Sequence, residues 1–197
     1  MRTVVAVLLA FGLGVQAQQP QPPAPPPPPP PPPKPLRIED VSRKLARTQA
    51  ANETAKAALV QARDFLRSAK EAERKQRAFV AGRYAAAADA MIRIAEHQQH
   101  LAPAGGPGRP QVAHHLERAY FRLQQANYFL AQSHDASARN LPALGRGFYE
   151  DGVKAFDAGN YAAADEWAKC VEDTVAALEN LAQAATPVPP PPPPRRP

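Results

Sequence analysis

Apolar and small residues recur every three or four positions along most of the chain, a spacing typical of amphipathic helices. The first such stripe begins at Ile38 and Val41 and continues to Leu66 and Ala69. No stretch alternates apolar and polar residues as a half-buried strand would. The pattern therefore predicts an all-α protein. Its five predicted helices cover residues 38–81, 84–101, 111–133, 143–158 and 161–185.

Glycine and proline mark the expected ends of these helices. Gly82 interrupts the first stripe, which runs to that point with or without a bend near Ser68, and Gly159 separates the last two helices. Residues 102–110 contain three glycines and three prolines and form the clearest loop, and residues 135–142 form another connection. Short connections favour antiparallel neighbours, so we predict an antiparallel bundle of about five helices.

Two segments share a pattern in which glycine is followed two positions later by tyrosine and three positions after that by alanine. The matching residues are Gly82, Tyr84 and Ala87 in one segment and Gly159, Tyr161 and Ala164 in the other. Glycine can adopt the left-handed conformation that ends a helix, and a small alanine lets two helices approach closely. Both segments therefore predict tight αα-hairpins.

The second segment resembles the tetratricopeptide repeat over about residues 146–176. Phe148 stands at the family's first aromatic position, and Gly152 stands at its close-packing glycine. The first segment, at about 71–99, resembles the family only in part, since Glu71 and Lys75 occupy its first-helix positions. A solenoid usually requires three or more repeats. The resemblance therefore implies tetratricopeptide-like hairpins within a compact bundle.

The N-terminal residues have the pattern of a secretory signal peptide. Arg2 precedes a short apolar run, and Val15 and Ala17 form a small-residue cleavage site. Residues 1–17 are therefore predicted to be a signal peptide cut after Ala17, with an uncleaved N-terminal anchor as the alternative. Gln18 stands where a lipoprotein would have cysteine. We expect a periplasmic or secreted protein with no transmembrane segment after signal removal.

Proline is concentrated near the two ends of the chain. Of 25 prolines, thirteen lie in 20–35 and eight in 187–197. Consecutive prolines have no N–H donors and extend as polyproline II. We therefore predict a disordered linker at 18–35 and a disordered tail at 187–197, on either side of a helical domain at 36–186. Such segments serve as spacers or as ligands for aromatic grooves.

The net charge of +6 comes mostly from these ends, because residues 36–186 hold 20 basic and 18 acidic side chains. A nucleic-acid partner is therefore not expected. The densest basic cluster could bind an anionic envelope polymer or lipid headgroups. Its members are Lys70, Arg74, Lys75, Arg77 and Arg83.

Four histidines are weak candidates for a metal site. His97 and His100 lie near the end of the second predicted helix, and His114 and His115 lie near the start of the third. Antiparallel packing would bring them together, and imidazole clusters bind Zn, Cu or Ni. The alternative is that they are ordinary polar residues at helix ends. Cys170, the single cysteine, cannot form an intramolecular disulfide and is expected to be a small, partly buried residue.

No phosphate-binding loop, nucleophile elbow or paired metal-ligand cysteines are present in the sequence. Adjacent carboxylates such as Asp165 and Glu166, or Glu172 and Asp173, point in different directions on a helix and are expected on a solvated face. We therefore expect no enzymatic activity and no cofactor. Adjacent aromatic residues cannot both be buried, so one member of each pair is expected to face a partner or another copy. The aromatic residues concerned are Tyr120, Phe121, Tyr128, Phe129 and Tyr149.

Together these features predict an exported, non-enzymatic protein-interaction or scaffold module of the cell envelope. Its expected partners are one or more proteins, with self-association and contact with the envelope surface included. The alternative is a periplasmic ligand-binding protein. Its ligand would be a metal ion held by the histidines or an anionic envelope polymer held by the basic first helix.

Overall fold

A computed structural model describes residues 36–101 and 106–186. These residues form six α-helices packed as a bundle, with no strand among them, so the all-α prediction is confirmed. The helices are α1 (Ile38–Arg47), α2 (Glu53–Arg74), α3 (Ala78–His97), α4 (Arg109–Gln132), α5 (Leu141–Asp157) and α6 (Tyr161–Ala185). None of them is both long and apolar enough to cross a membrane. The predicted signal peptide, the linker at 18–35 and the tail at 187–197 lie outside the described residues.

Helix α6 lies at the centre of the bundle. It packs against α3, α4 and α5, while α2 packs on the other side of α3 and α1 lies against both α2 and α3. Alanine occupies many of the buried positions of α6, and larger side chains such as Val171, Val175 and Leu178 fill the space between the helices. The buried Thr174 hydroxyl donates to the Cys170 carbonyl at 2.8 Å. A helix that is apolar on most sides is typical of the interior of a bundle.

The single helix predicted over 38–81 is wrong, because this segment holds two breaks. The first separates α1 from α2 at residues 48–52. Asn52 begins α2 as its N-cap, where its side chain accepts a hydrogen bond from the Ala55 amide at 2.8 Å. The apolar stripe has no member between Thr48 and Ala55, and this gap is the sequence signal for the break. The bundle therefore has six helices where five were predicted.

The second break lies at Gln76, six residues before the helix end predicted at Gly82. Gln76 adopts a positive φ of 57°. Its amide donates to the Glu73 carbonyl, and the Arg77 amide donates to the Ala72 carbonyl, at 2.8 and 2.9 Å. This pair of bonds is the Schellman arrangement that ends helices. Gly82 lies inside α3, so the prediction that it ends a helix is wrong.

The turn between α5 and α6 has the same hydrogen bonds, here with glycine at the left-handed position. Gly159 has a φ of 77°. Its amide donates to the Phe156 carbonyl at 3.0 Å, and the Asn160 amide donates to the Ala155 carbonyl at 2.9 Å. By backbone geometry, Gly159 therefore corresponds to Gln76 and not to Gly82. Tyr161 follows as the first residue of α6, with its ring 5.4 Å from that of Phe156.

Small residues allow α4, α5 and α6 to approach closely. A Cβ added at Gly152 would lie 3.0 Å from Leu116 Cδ2 and 3.2 Å from Trp167 Cβ. Phe148 is buried one turn earlier in α5, with its ring 5.6 Å from that of Trp167, and Ala164 is fully buried in α6. The two remaining hairpin residues named from the sequence lie within α3. They are Tyr84, which is half-buried, and Ala87, which is fully buried.

Candidate functional site

A continuous chain of ion pairs crosses the bundle from α1 to α4. At its first end, Lys44 of α1 lies 3.1 Å from the Asp89 carboxylate. Arg93 pairs with the same Asp89 and reaches across to α6, where its Nε and Nη2 donate to Asp173 Oδ1 at 2.9 and 2.7 Å. The spacing of Asp89 and Arg93 is visible in the sequence as a helical i, i+4 pair. Their partner Asp173, expected on a solvated face, lies instead between helices.

His97 continues this ion-pair network. Its Nε2 lies 3.2 Å from Asp173 Oδ2, and its Nδ1 lies 2.7 Å from Glu166 Oε2. Burial disfavours the charged ring, but the hydrogen bonds and negative charges of Asp173 and Glu166 outweigh it and raise the pKa of His97 above 6.5. In its protonated form, His97 donates from both ring nitrogens and links α3 to two residues of α6 that lie seven positions, or about two turns, apart.

Lys169 joins two carboxylates in the second turn of α6. Its Nζ lies 2.7 Å from Glu166 Oε1 and 2.7 Å from Asp165 Oδ2. Asp165 also pairs with Nδ1 of His115 on α4. Burial would raise the pKa of Asp165, but its bonds to Lys169 and His115 lower it below its ordinary value. The carboxylates expected to be solvated are therefore the anionic half of a network that fastens α3 and α4 to α6.

The four histidines that were weak candidates for a metal site do not come together in one cluster. His97 and His115 contact neighbouring carboxylates of α6, while His100 and His114 are exposed. Each ring nitrogen of His97 faces a carboxylate oxygen, which leaves no free lone pair for a metal when the ring is protonated. Within residues 36–101 and 106–186, no group of three or more histidine, cysteine or acidic side chains is arranged to hold a metal ion.

Cys170 is fully buried where α6 packs against the end of α3. Its Sγ accepts a hydrogen bond from Gln98 Nε2 at 3.4 Å, and Gln98 Oε1 accepts one from Asn52 Nδ2 at 3.0 Å. Burial raises the pKa of the Cys170 thiol to about 12. The thiolate, which is the reactive form, is therefore strongly disfavoured.

A cleft of about 570 Å³ opens where α2 passes into α3. Its floor includes the buried side chains of Val80 and Leu181. Its basic rim, defined here as the four cations that line it, consists of Arg67, Arg74, Lys75 and Arg77. The acidic side chains in the lining are Glu71 and Asp135.

Only part of the predicted basic cluster belongs to this cleft. Lys70 points away from it, toward a groove beside α1. Arg83 donates to Asn180 Oδ1 at 3.3 Å and stacks on the Phe79 ring at 4.9 Å. Tyr84 lines the cleft, where burial and the charge of Asp135 raise its pKa to about 12. Its hydroxyl is therefore a neutral donor at physiological pH.

Three aromatic side chains are exposed along α4, and we call them the aromatic face. They are Tyr120, Phe121 and Tyr128, with 45%, 69% and 62% of their surface exposed. Phe129 is half-buried, and so is Tyr149 of α5, whose ring lies 5.5 Å from that of Tyr120. Phe121 and Tyr128 are seven residues apart, which places them on the same side of the helix. The structure thus supplies a surface of large apolar groups that no described part of the chain covers.

Comparisons of the chain with family models, curated proteins and solved structures found no match. The resemblance of residues 146–176 to the tetratricopeptide repeat therefore stays a prediction from the sequence.

Proposed function

We propose that the chain is an exported, non-enzymatic protein-interaction module of the cell envelope, with the aromatic face of α4 as its contact surface. The observation that supports this function is the exposure of Tyr120, Phe121 and Tyr128 on one helix. Aromatic residues are enriched at protein interfaces, and clustered exposed apolar groups are unusual on monomers. Export rests on the sequence of residues 1–17.

The rigidity of α4 supports the same proposal. Arg118 donates from Nε and Nη2 to the Glu172 carboxylate of α6 at 2.6 and 3.0 Å. One turn later, Arg122 donates to Glu179 at 2.8 Å. These ion pairs hold α4 against the central helix while its aromatic face points outward. A surface fixed before binding loses little conformational entropy when a partner arrives.

The proposal assigns a structural role to the charged groups inside the bundle. His97, Asp165 and Lys169 are paired with one another or with neighbouring carboxylates between helices. Such pairing consumes their hydrogen-bonding capacity within the fold. The proposal therefore assigns them to holding the helices together, and it assigns recognition to the outer face of α4.

The test is site-specific photo-crosslinking in cells that produce the chain. A photoreactive phenylalanine at position 121 should give a discrete protein adduct, and the additional substitution Tyr128→Ser should reduce it. Phe79 is the matched control, because it is an exposed phenylalanine on α3. Equal adducts from positions 79 and 121, or none from position 121, would contradict the proposed contact surface.

A second candidate function is the binding of an anionic polymer, which the cleft and its basic rim favour. Four cations line this cleft against two acidic side chains. Titration with inorganic polyphosphate should show binding that weakens with added salt. Lys75→Ala with Arg77→Ala should weaken it more than Arg63→Ala with Lys70→Ala, a pair of equal charge outside the cleft. An equal loss of polyphosphate affinity in the two double variants would indicate attraction by the overall charge only.

A further inference from the structure

We propose that the proline-rich tail of this chain docks on the aromatic face of α4, with the six consecutive prolines at 189–194 as the bound segment. This inference rests on the proposed function, because it names polyproline as the class of ligand that the face recognises.

The chemistry of the face suits a polyproline helix. Prolines have no N–H donors, so such a segment offers apolar rings and carbonyl acceptors only. Exposed aromatic rings pack against the proline rings, which is the usual mode of polyproline recognition. The hydroxyls of Tyr120 and Tyr128 and the amide of the exposed Gln124 can donate to the carbonyls. Because the polyproline conformation is already extended, little entropy is lost on docking.

The spacing of the aromatic rings along α4 also matches the repeat of a polyproline II helix. Phe121 and Tyr128 are seven residues apart, or about 10.5 Å along a helix that rises 1.5 Å per residue. A polyproline II helix advances about 9.3 Å in each three-residue turn. Prolines three positions apart lie on the same side of that helix, so successive turns can contact the two rings.

Helix α6 ends near the level of this face along the bundle axis. Helices α4 and α6 run in the same direction, as the pairs Arg118–Glu172 and Arg122–Glu179 show. Tyr128 lies six residues beyond Arg122, and Ala185, the last residue of α6, lies six residues beyond Glu179. The chain therefore leaves α6 near the level of Tyr128.

The length of the tail suffices to cover the face. Eight residues, 187–194, extend about 25 Å in the polyproline conformation. Phe121 lies on the outer side of α4, so reaching it requires about 10 Å across one helix–helix spacing, about 5 Å around α4 and about 10 Å back along it, or roughly 25 Å in all. The tail can thus pass Tyr128 and Phe121 in turn while running opposite to α4.

The charges of the tail and of α4 and α5 also favour a tail that runs opposite to α4. Beyond the prolines, the tail carries Arg195 and Arg196. One turn before Phe121, α4 presents the exposed Glu117, and α5 presents the exposed Glu150 next to Tyr149. Neither carboxylate forms an ion pair with another residue of the described ranges. A tail lying across the aromatic face brings its two arginines to these two acids.

Paramagnetic relaxation in the full chain tests this docking. A spin label attached through Pro197→Cys should broaden the amide signals around Glu117 and Glu150 more than those of α2. The native thiol of Cys170 should not react with the label, because it is fully buried. Replacing prolines 189–194 by serine should reduce the broadening at Glu117 to the level seen for α2, and this change leaves the helical residues untouched.

Variants of the face complete the experiment. Phe121→Ser with Tyr128→Ser should also abolish the selective broadening, whereas Phe79→Ser should leave it unchanged. Broadening spread evenly over the helices, or selective broadening that survives the double substitution, would overturn the proposal. If docking fails while crosslinking from position 121 still captures a protein, this inference is wrong and the proposed function stands. If both fail, both are wrong.

Discussion

Alanine substitutions at Gly82 and Gly159 separate two roles that glycine plays in this bundle. Gly82 lies within α3, and Gly159 lies between α5 and α6 with a φ of 77°. A Cβ added at either position would meet no atom within 4 Å. The added methyl group is therefore free of steric contact at both sites, and only the backbone conformation distinguishes them.

The expected changes in the free energy of unfolding have opposite signs. In a helix interior, alanine is more stable than glycine by about 0.5–1 kcal/mol, so Gly82→Ala should stabilise the protein. At Gly159, the left-handed conformation costs alanine about 1–2 kcal/mol. The lower entropy of the unfolded chain offsets roughly 0.4–1 kcal/mol of that cost. Gly159→Ala should therefore destabilise the protein by about 1 kcal/mol, and the two variants should differ by about 2 kcal/mol.

Urea unfolding at fixed pH, followed by far-ultraviolet circular dichroism, measures this difference, with Trp167 fluorescence as a second probe. Gly147→Ala is the control, since Gly147 lies within α5 and its added Cβ would also meet nothing within 4 Å. It should stabilise the protein as Gly82→Ala does. Equal destabilisation by Gly82→Ala and Gly159→Ala would refute the reasoning, because both glycines would then end helices.

Three further predictions concern the side chains of His97, Asn52 and Cys170. The stability contributed by His97 should be fully present below about pH 6.5 and should be lost as the pH rises through its raised folded-state pKa. Urea midpoints measured between pH 6 and 9 should therefore fall, and His97→Gln should flatten this slope; an unchanged slope would contradict the assignment. Asn52→Ala should lower the free energy of unfolding by about 1 kcal/mol in the same assay, because the Ala55 amide loses its cap. No effect would contradict the assignment of Asn52 as a stabilising N-cap of α2. Cys170 should react with a thiol reagent only when the protein unfolds, and rapid labelling of the native protein would show that the thiol is accessible.

The accuracy of the helix prediction depends on how each end is marked. The helix predicted over 161–185 coincides with α6, because Gly159 and Asn160 provide a left-handed turn and an N-cap just before it. Pro110 and Pro142 lie in the first turns of α4 and α5, where proline is favoured. The break at Gln76 carries no such mark, since glutamine rarely adopts a positive φ. There, the packing of α2 against α3 outweighs the local preference.

For the candidate sites as well, the sequence predicts some features and the packing of the helices decides the others. Exposure of one member of an aromatic pair follows from helix geometry for Tyr128 and half-buried Phe129, which point in directions about 100° apart. Tyr120 and Phe121 are both exposed, so the expectation of one exposed member is wrong for that pair. The identity of the exposed residue depends on which side of α4 packs against α5 and α6. Likewise, the sequence places His97 and His115 near adjoining helix ends, yet α6 separates them with its own carboxylates.

By itself, the sequence determined the helical class, the division between a helical region and proline-rich ends, and those helix boundaries that glycine, asparagine or proline marks. These features depend on residues close together in the chain, whose preferences act over one or two turns. Only the tertiary structure decided that α6 is central, that Asp173 meets Arg93 across 80 positions, and that Gln76 takes the left-handed turn. Such outcomes depend on the free energy of the whole packed bundle, to which residues distant in sequence contribute together.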